Sequence, residues 1–399
     1  MTGSLTTRLL VLISVLCCTT PAYAQLQWNF FGTVGFGQVD EESVVSNSNL
    51  AYSDLTENFS GSQLTRLGVQ PSYRINDDLS LTLQAVTRLS EDFDAEIEWG
   101  YLNFSLSHNT TLRLGLIRRP LFQYTDSLYV GYGSRWVQPP STAYVDIDEF
   151  YGNIRAINLL YNGAWRDWLY SSEVYFGQGT GEGSFAGQTT SNNTKHNLGA
   201  VINLEQDHFS LRFGLHESNF SLAIDQIDTL GQALKQFGLF DLADDVLLQN
   251  ETVHFYSIGG SYLTGGWEIF GEKVVADIRG TYIPKIEGWY LGFQRSFNNV
   301  ALHFTAGEQT TDPQLDPSAD ILALAAQLPD PEAAASLNAV GLQLAPVVEM
   351  SNSRRFSKSL GVRVDVSSRF AFKAEVEQVT DKLIDKKANL FSISVDFVF

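Results

Sequence analysis

Phe391-Ser392-Ile393-Ser394-Val395-Asp396-Phe397-Val398-Phe399 closes the sequence, and its reading decides the fold. Every odd position is large and apolar, while the even ones are mostly small or polar. Successive strand side chains point to opposite faces, so the segment has one greasy side and one mostly polar side. Such a strand suits a sheet with hydrocarbon on one face and water on the other.

The same alternation recurs upstream. Leu79, Leu81, Leu83 and Ala85 alternate with Ser80, Thr82 and Gln84; Phe209, Leu211, Phe213 and Leu215 alternate with Ser210, Arg212, Gly214 and His216. Leu360, Val362, Val364 and Val366 alternate with Gly361, Arg363 and Asp365. About sixteen such segments follow one another, the first near 27–39 and the last near 389–399. Their lengths fit tilted membrane strands of about 9–11 residues. The links between them sort by length. Asn76-Asp-Asp78, Ser107-His-Asn109, Gly163 to Arg166, Gln206-Asp207, Gly265-Gly266, Asn298-Asn299 and Ser367-Ser368 are tight, and all fall at one end. The segments 40–61, 119–153, 178–195, 219–251 and 310–353 are long and fall at the other. Short periplasmic turns opposite long external loops mark outer-membrane barrels. The expected fold is all-β, a transmembrane antiparallel β-barrel of about 16 strands. A soluble barrel would put its apolar rows inside; here the charged residues share a face with glycines and serines. Trp28, Tyr73, Trp165, Trp168, Trp267, Phe297, Phe370 and Phe399 flank the tight links as an interfacial girdle, and Trp99, Phe176 and Trp289 are expected in the outer one.

The amino-terminal end agrees. Arg8, the apolar run Leu9 to Leu16, and Pro21-Ala-Tyr-Ala24 read as a secretory signal peptide over 1–24, removed to leave 25–399 as a single barrel domain. Leu16 before Cys17 is a poor lipobox residue, so lipidation is not expected. Cys17 and Cys18 lie in the discarded segment, which leaves no disulfide and no thiolate chemistry. The net charge of −19 becomes more negative still without Arg8 and excludes nucleic acid as a partner.

Enzyme chemistry finds little support. The six histidines (108, 196, 208, 216, 254 and 303) are scattered without H-E-x-x-H, and no G-x-S-x-G occurs, so neither a metal nor a cofactor nor a catalytic residue is expected. His216 and Asp207 read as lumen and turn residues. The run Gly177-Gln-Gly179-Thr-Gly181-Glu-Gly183 imitates a phosphate loop but lacks the Lys-Ser/Thr ending, and reads as a flexible external loop. Residues 222–249 and 319–345 read as helical, the second broken by Pro329 and Pro331.

The segment 119–153 departs from everything around it. It runs from Pro120-Leu-Phe-Gln-Tyr through Tyr-Val-Gly-Tyr to Arg-Trp-Val-Gln-Pro-Pro140 and on to Phe150-Tyr151. So aromatic a connection is costly to leave in solvent. With the terminal strand and the sorted loops, it resembles Gram-negative outer-membrane porins of the general or substrate-selective type, across essentially the whole chain after residue 24. That resemblance implies a third loop folded inward to narrow the pore, with acids on the loop facing a basic cluster on the wall. The acids are then Asp146, Asp148 and Glu149, and the cluster Arg66, Arg88, Arg113, Arg212 and Arg363, with Arg119 and Arg135 within reach. The arginines raise anion preference as a hypothesis, offset by lumen acids such as Glu173, Asp365, Glu375 and Glu377 beside Lys373. The expected activity is passive diffusion of small hydrophilic solutes or ions. Expected partners are outer-membrane lipid and lipopolysaccharide, the barrel-assembly machinery through the strand ending at Phe399, and two further copies in a homotrimer. The alternatives are an outer-membrane barrel enzyme of lipase or protease type, and a non-conducting structural or adhesion barrel.

Overall fold

Sixteen antiparallel strands form one closed barrel in a computed structural model that describes residues 26–42, 55–91, 93–144, 152–185, 188–350 and 352–399. They are β1 (Leu26–Val39), β2 (Arg66–Arg74), β3 (Leu79–Arg88), β4 (Ala95–Ser105), β5 (Thr110–Arg118) and β6 (Asn153–Trp165). There follow β7 (Trp168–Phe185), β8 (Gln188–Gln206), β9 (Phe209–Ala223), β10 (Glu251–Thr264) and β11 (Trp267–Ile278). The last are β12 (Lys285–Phe297), β13 (Val300–Asp312), β14 (Ser353–Asp365), β15 (Phe370–Asp381) and β16 (Lys386–Val398). The expected signal peptide lies outside the described residues.

Each strand pairs with its sequence neighbours, and β16 closes on β1 through Val34↔Val395 and Gly37↔Ser392. Phe30 and Phe399 exchange backbone hydrogen bonds of 2.9 and 2.7 Å at the seam. Closure leaves no sheet edge, so every strand's backbone is satisfied within the wall. The tight links gather at the end that carries Leu26 and Phe399. Gly265 and Gly266, the two-residue link between β10 and β11, both take positive φ (54° and 80°), as the primed hairpin turns require.

The apolar rows face outward. Ile202, Leu291, Phe391 and Val395 are 47, 45, 42 and 43% exposed, whereas Ser394 and Asp396, on the opposite face of β16, are 2 and 1% exposed. Trp28, Trp165, Trp267, Phe297 and Phe399 stand exposed beside the tight links. Trp99 departs from the expected outer girdle. A bulge between Gln84 and Ala85 pairs it with lumen-facing Gln84, and its ring lies 6.0 Å from the buried Arg118 guanidinium.

One expected loop is strand. β7 and β8 continue their ladder through the segment 178–195 that reads as a loop, glycine run included. The reason is physical: a strand beyond the hydrocarbon needs no apolar face, so its alternation of glycine with Gln, Thr and Glu carries no hydrophobic signal. The two helical segments form as four helices, α1 (Asp225–Gln236), α2 (Phe240–Val246), α3 (Pro317–Ala325) and α4 (Pro331–Met350). Pro331 opens α4, where its missing N–H costs nothing. None of the described helices is long and apolar enough to cross a membrane.

Candidate functional site

After β5 the chain turns into the bore. Arg119 is buried and donates to Asn197 of β8 (2.9 Å) and the Gly152 carbonyl (3.3 Å). The Pro120 carbonyl accepts from Arg212 of β9, the Leu121 carbonyl accepts from Ser257 of β10 (2.8 Å), and the Gln123 N–H donates to Glu272 of β11 (2.8 Å). Phe122 packs against Tyr144 at a tilt and meets Phe255 edge-on, with centroids 4.7 and 5.4 Å apart. The segment then crosses the lumen. Its Tyr129 carbonyl accepts from Arg66 of β2 (3.2 Å), Gly131 from Lys373 of β15 (2.7 Å), and Tyr132 and Ser134 from Arg363 of β14 (2.6 and 2.7 Å). On the way back Arg135 pairs with Glu268 (2.9 Å), Trp136 donates to Thr305 of β13 (3.0 Å), and Ser141 donates to Glu377 (3.0 Å).

These contacts follow one rule. Irregular backbone inside a barrel must find partners for its carbonyls and N–H groups. Wall cations donate to the carbonyls, and wall carboxylates accept from N–H and hydroxyl groups. Most arginines expected to form a field are therefore fasteners: Arg66, Arg212 and Arg363 hold loop carbonyls, and Arg119 anchors the loop's entry. Arg135 belongs to the loop itself. Arg88 forms ion pairs with Glu96 (2.7 Å) and Glu98. Arg113 does neither; its Nε donates to Asn103 (3.2 Å) and its guanidinium lies 4.9 Å over the Tyr101 ring. Asp146, Asp148 and Glu149 lie outside the described residues.

Arg118 and Asp126 escape the sequence reading, and so does the pairing of Lys373 with Asp396. Arg118 is buried and pairs with Glu98, and Arg88 and Arg118 flank the Tyr129 ring at 4.4 and 4.1 Å. Lys373 is fully buried, 3.0 Å from Asp396, which also accepts from Thr33 (2.5 Å) and Ser394 (3.0 Å). Asp126 stands exposed on the loop edge, and its charge acts on Tyr101, Glu173 and Arg212. The alternation marked Lys373 and Asp396 as lumen residues, but nothing local pairs them across two strands.

The bore is filled unevenly. Against β10–β16 the loop seals the wall: Ser257, Glu272, Thr305, Glu377 and Ser394 are all buried. Toward the tight turns, by contrast, Ser72, Ser80, Asn103, Arg113, Glu173 and Asn203 of β2–β8 remain part-exposed, as do Gln294 of β12 and Arg363 and Asp365 of β14. A crescent of polar lumen survives between the β2–β8 wall and the loop edge carrying Asp126. On the sealed side burial holds the Tyr144 phenol well above its ordinary range, helped by the neighbouring Glu272 charge, and burial raises Tyr124 as well. Above the loop, Leu234, Val246, Ile321 and Leu344 of α1–α4 join Phe255, Phe270, Phe122 and Trp136 in one apolar cluster. The helices thus cap the mouth over the sealed half. Among the described residues no group of three or more His, Cys, Asp or Glu is placed to hold a metal ion.

No protein-family model matches the chain, and no curated protein matches it. Solved structures do. The outer membrane channel DcaP of Acinetobacter baumannii superposes with a TM-score of 0.58 at 12% identity, over 96% of this chain and 99% of that one. An anion-selective porin from Comamonas acidovorans gives 0.55 at 9% identity, covering 94% and 100%. OmpT, an outer membrane protein of Vibrio cholerae solved in a trimer form, gives 0.54 at 11% identity, covering 94% and 99%. The fold is that of the outer-membrane porins. At such identities the likeness speaks for the porin architecture alone, and the residues that set a solute's passage have to be read from this chain.

Proposed function

We propose that this porin-fold barrel is a passive channel of the Gram-negative outer membrane, admitting small hydrophilic solutes or ions down their gradient. One observation carries the reading: the interior is polar and charged, yet the inward loop covers only part of it, and polar wall residues toward the tight turns stay part-exposed, the crescent along β2–β8 among them. Charged groups in a narrow, low-dielectric passage filter by size and sign without tight binding. Because Arg66, Arg212 and Arg363 are occupied in holding the loop, the crescent offers solute mainly Arg113 against Asp126 and Glu173. That balance supports weak charge selectivity rather than the anion preference suggested by counting arginines.

The exposed apolar belt supports residence in lipid, and the extracellular helices support contact with lipopolysaccharide. The strand ending at Phe399 is the segment offered to the barrel-assembly machinery, and the trimer form of a structural neighbour supports a homotrimer. Planar-bilayer recording tests the channel: stepwise conductance is the expected result, with reversal potentials near zero in a salt gradient. The occluded structural barrel draws on a specific observation of its own, the loop's contacts with walls on opposite sides of the lumen. Persistent silence in bilayers, with no swelling of liposomes in small sugars or amino acids, decides for it.

A further inference from the structure

We propose that the outer face of β14–β16 carries a binding site for the phosphorylated, acylated sugar head of a lipopolysaccharide. The assignment rests on the outer-membrane part of the reading above, not on conduction, and gives the lipid contact its residues. Side chains that point outward on these strands change character at one height. On β16 the apolar row runs from Phe397 through Val395 to Phe391 and gives way to Asn389 and Lys387. On β14 it runs from Val364 to Leu360 and gives way to Lys358, with Arg354 further up. Register sets Lys358, Gln378 and Asn389 side by side, with Thr380 and Lys387 paired one step above. From Phe399 to Asn389 the extended chain runs about 33 Å and, tilted about 40°, climbs about 25 Å. That is the height of an apolar band, so Lys358 stands where the outer headgroups begin.

Cations outnumber acids there. Glu308 of β13 accepts from both Arg354 (2.9 Å) and Lys382 (2.6 Å), which leaves a positive charge over. Lys382 also lies 5.2 Å over the Phe356 ring. Asp40 is engaged by the N–H and the side chain of Asn389 (2.7 Å each). Lys358 and Lys387 are exposed, and neither forms an ion pair among the described residues. The chain's net charge is −19, so the surplus is local; at the same edge of β9 and β10 the outward pair is Glu217 and His254 (3.2 Å). A lysine at this depth lays its stem on the apolar wall and lifts its ammonium to the headgroups. Phosphate takes lysine as a point charge, and beside hydrocarbon that attraction is screened less than in bulk water. Exposed Leu360, Val376 and Phe391 lie paired directly below, a rest for the acyl chains of the same lipid. The ligand class follows from that stack: an anion joined to hydrocarbon, at headgroup height. Lys358 and Lys387 hold the phosphate, and Glu308 is a positioning residue that keeps Arg354 and Lys382 beside them.

Native mass spectrometry of the folded full-length barrel in non-ionic detergent, titrated with diphosphorylated lipid A, tests this. Wild type is expected to take up the lipid saturably. Lys358→Gln combined with Lys387→Gln is expected to weaken uptake by about tenfold or more, the effect of losing two cations at a lipid surface. Lys273→Gln, on β11 outside the site, is expected to match wild type. Lipid A stripped of its phosphates is expected to bind wild type about tenfold more weakly or worse. Unchanged uptake in the double variant, or equal uptake of the dephosphorylated lipid, overturns the site. Displacement by inorganic phosphate at equal concentration marks a free-anion site and overturns the lipid assignment. Should the double variant fail to fold, Lys358→Gln alone and the two lipids on wild type decide. Bilayer silence with phosphate-dependent uptake intact overturns the channel and leaves this site standing, and stepwise conductance without such uptake does the reverse.

Discussion

Lys373 shows how charge is used at the level of single residues. It is completely buried in a barrel that offers water elsewhere, and it spends its three donors on Asp396 and the carbonyls of Gly131 and Trp136, at 3.0, 2.7 and 2.8 Å. Lys373→Ala strands Asp396 as a buried, uncompensated carboxylate and frees two loop carbonyls, a loss of about 3–5 kcal/mol. Denaturant unfolding followed by tryptophan fluorescence is expected to show that loss, and the double change Lys373→Met with Asp396→Leu a smaller one. Tyr144 makes the corresponding case for pH. Its Oη donates to Glu272 (2.9 Å) and accepts from the Tyr124 N–H (3.1 Å), and its acidity is suppressed by burial first and by the Glu272 charge second. A phenol whose folded pKa is raised contributes stability that is complete below the unfolded value of 10.0 and is lost as pH climbs above it. The loop's seat is thus expected to hold through neutral pH and weaken above about pH 10. Ultraviolet difference titration is expected to show Tyr124 and Tyr144 among the buried tyrosines that resist ionisation past the exposed ones until the loop lets go; ordinary titration of both would contradict it.

Between elements, what matters is how closely the loop approaches the wall. Gly288 of β12 and Gly307 of β13 both face inward, and a Cβ on either would collide with Thr142, whose hydroxyl donates to the Trp289 carbonyl (3.1 Å). Gly288→Ala is expected to lift residues 140–144 off the wall without opening the barrel, because the ladder between β12 and β13 involves backbone alone. Its signature is noisier, larger conductance with unchanged heat-modifiability on gels; an unaltered record would show that Thr142 moves aside freely. The same elements explain what the sequence made legible. Strands inside hydrocarbon announce themselves because one face must be apolar, which is why β3, β9, β14 and β16 are readable to within a few residues. The upper halves of β7 and β8 obey no such demand and pass for a loop. Lumen arginines are equally legible as positions, since alternation assigns the face. Their partners are not, because Arg66, Arg212 and Arg363 bind loop carbonyls, which every residue type possesses and no side-chain pattern records.

For the whole molecule, one division of labour governs the rest: the outside is set by lipid and the inside by the loop. Ile202 and Asn203 are neighbours on β8 that belong to opposite sides of it. Ile202 points outward and is 47% exposed, in the row that continues through Leu204 and Leu198. Asn203 points into the crescent, accepting from Arg212 (3.2 Å) and donating to Ser171 (3.0 Å). A cation on the lipid face near mid-membrane costs about 2–4 kcal/mol, because hydrocarbon solvates no charge. Ile202→Arg is therefore expected to lose that much stability in refolding titrations into lipid vesicles and to leave the conductance of whatever folds unchanged. Asn203→Asp, one residue on, is expected to do the reverse: its carboxylate finds Arg212 already within reach, so folding is spared, while the crescent gains a negative charge. Reversal potential then shifts toward cations. If the two effects exchanged places, with Ile202→Arg altering selectivity and Asn203→Asp blocking assembly, the barrel would have to be inside out. The burial of Ser394 and Asp396 beside exposed Phe391 and Val395 argues against that at the seam, and this pair of substitutions carries the question to the opposite wall.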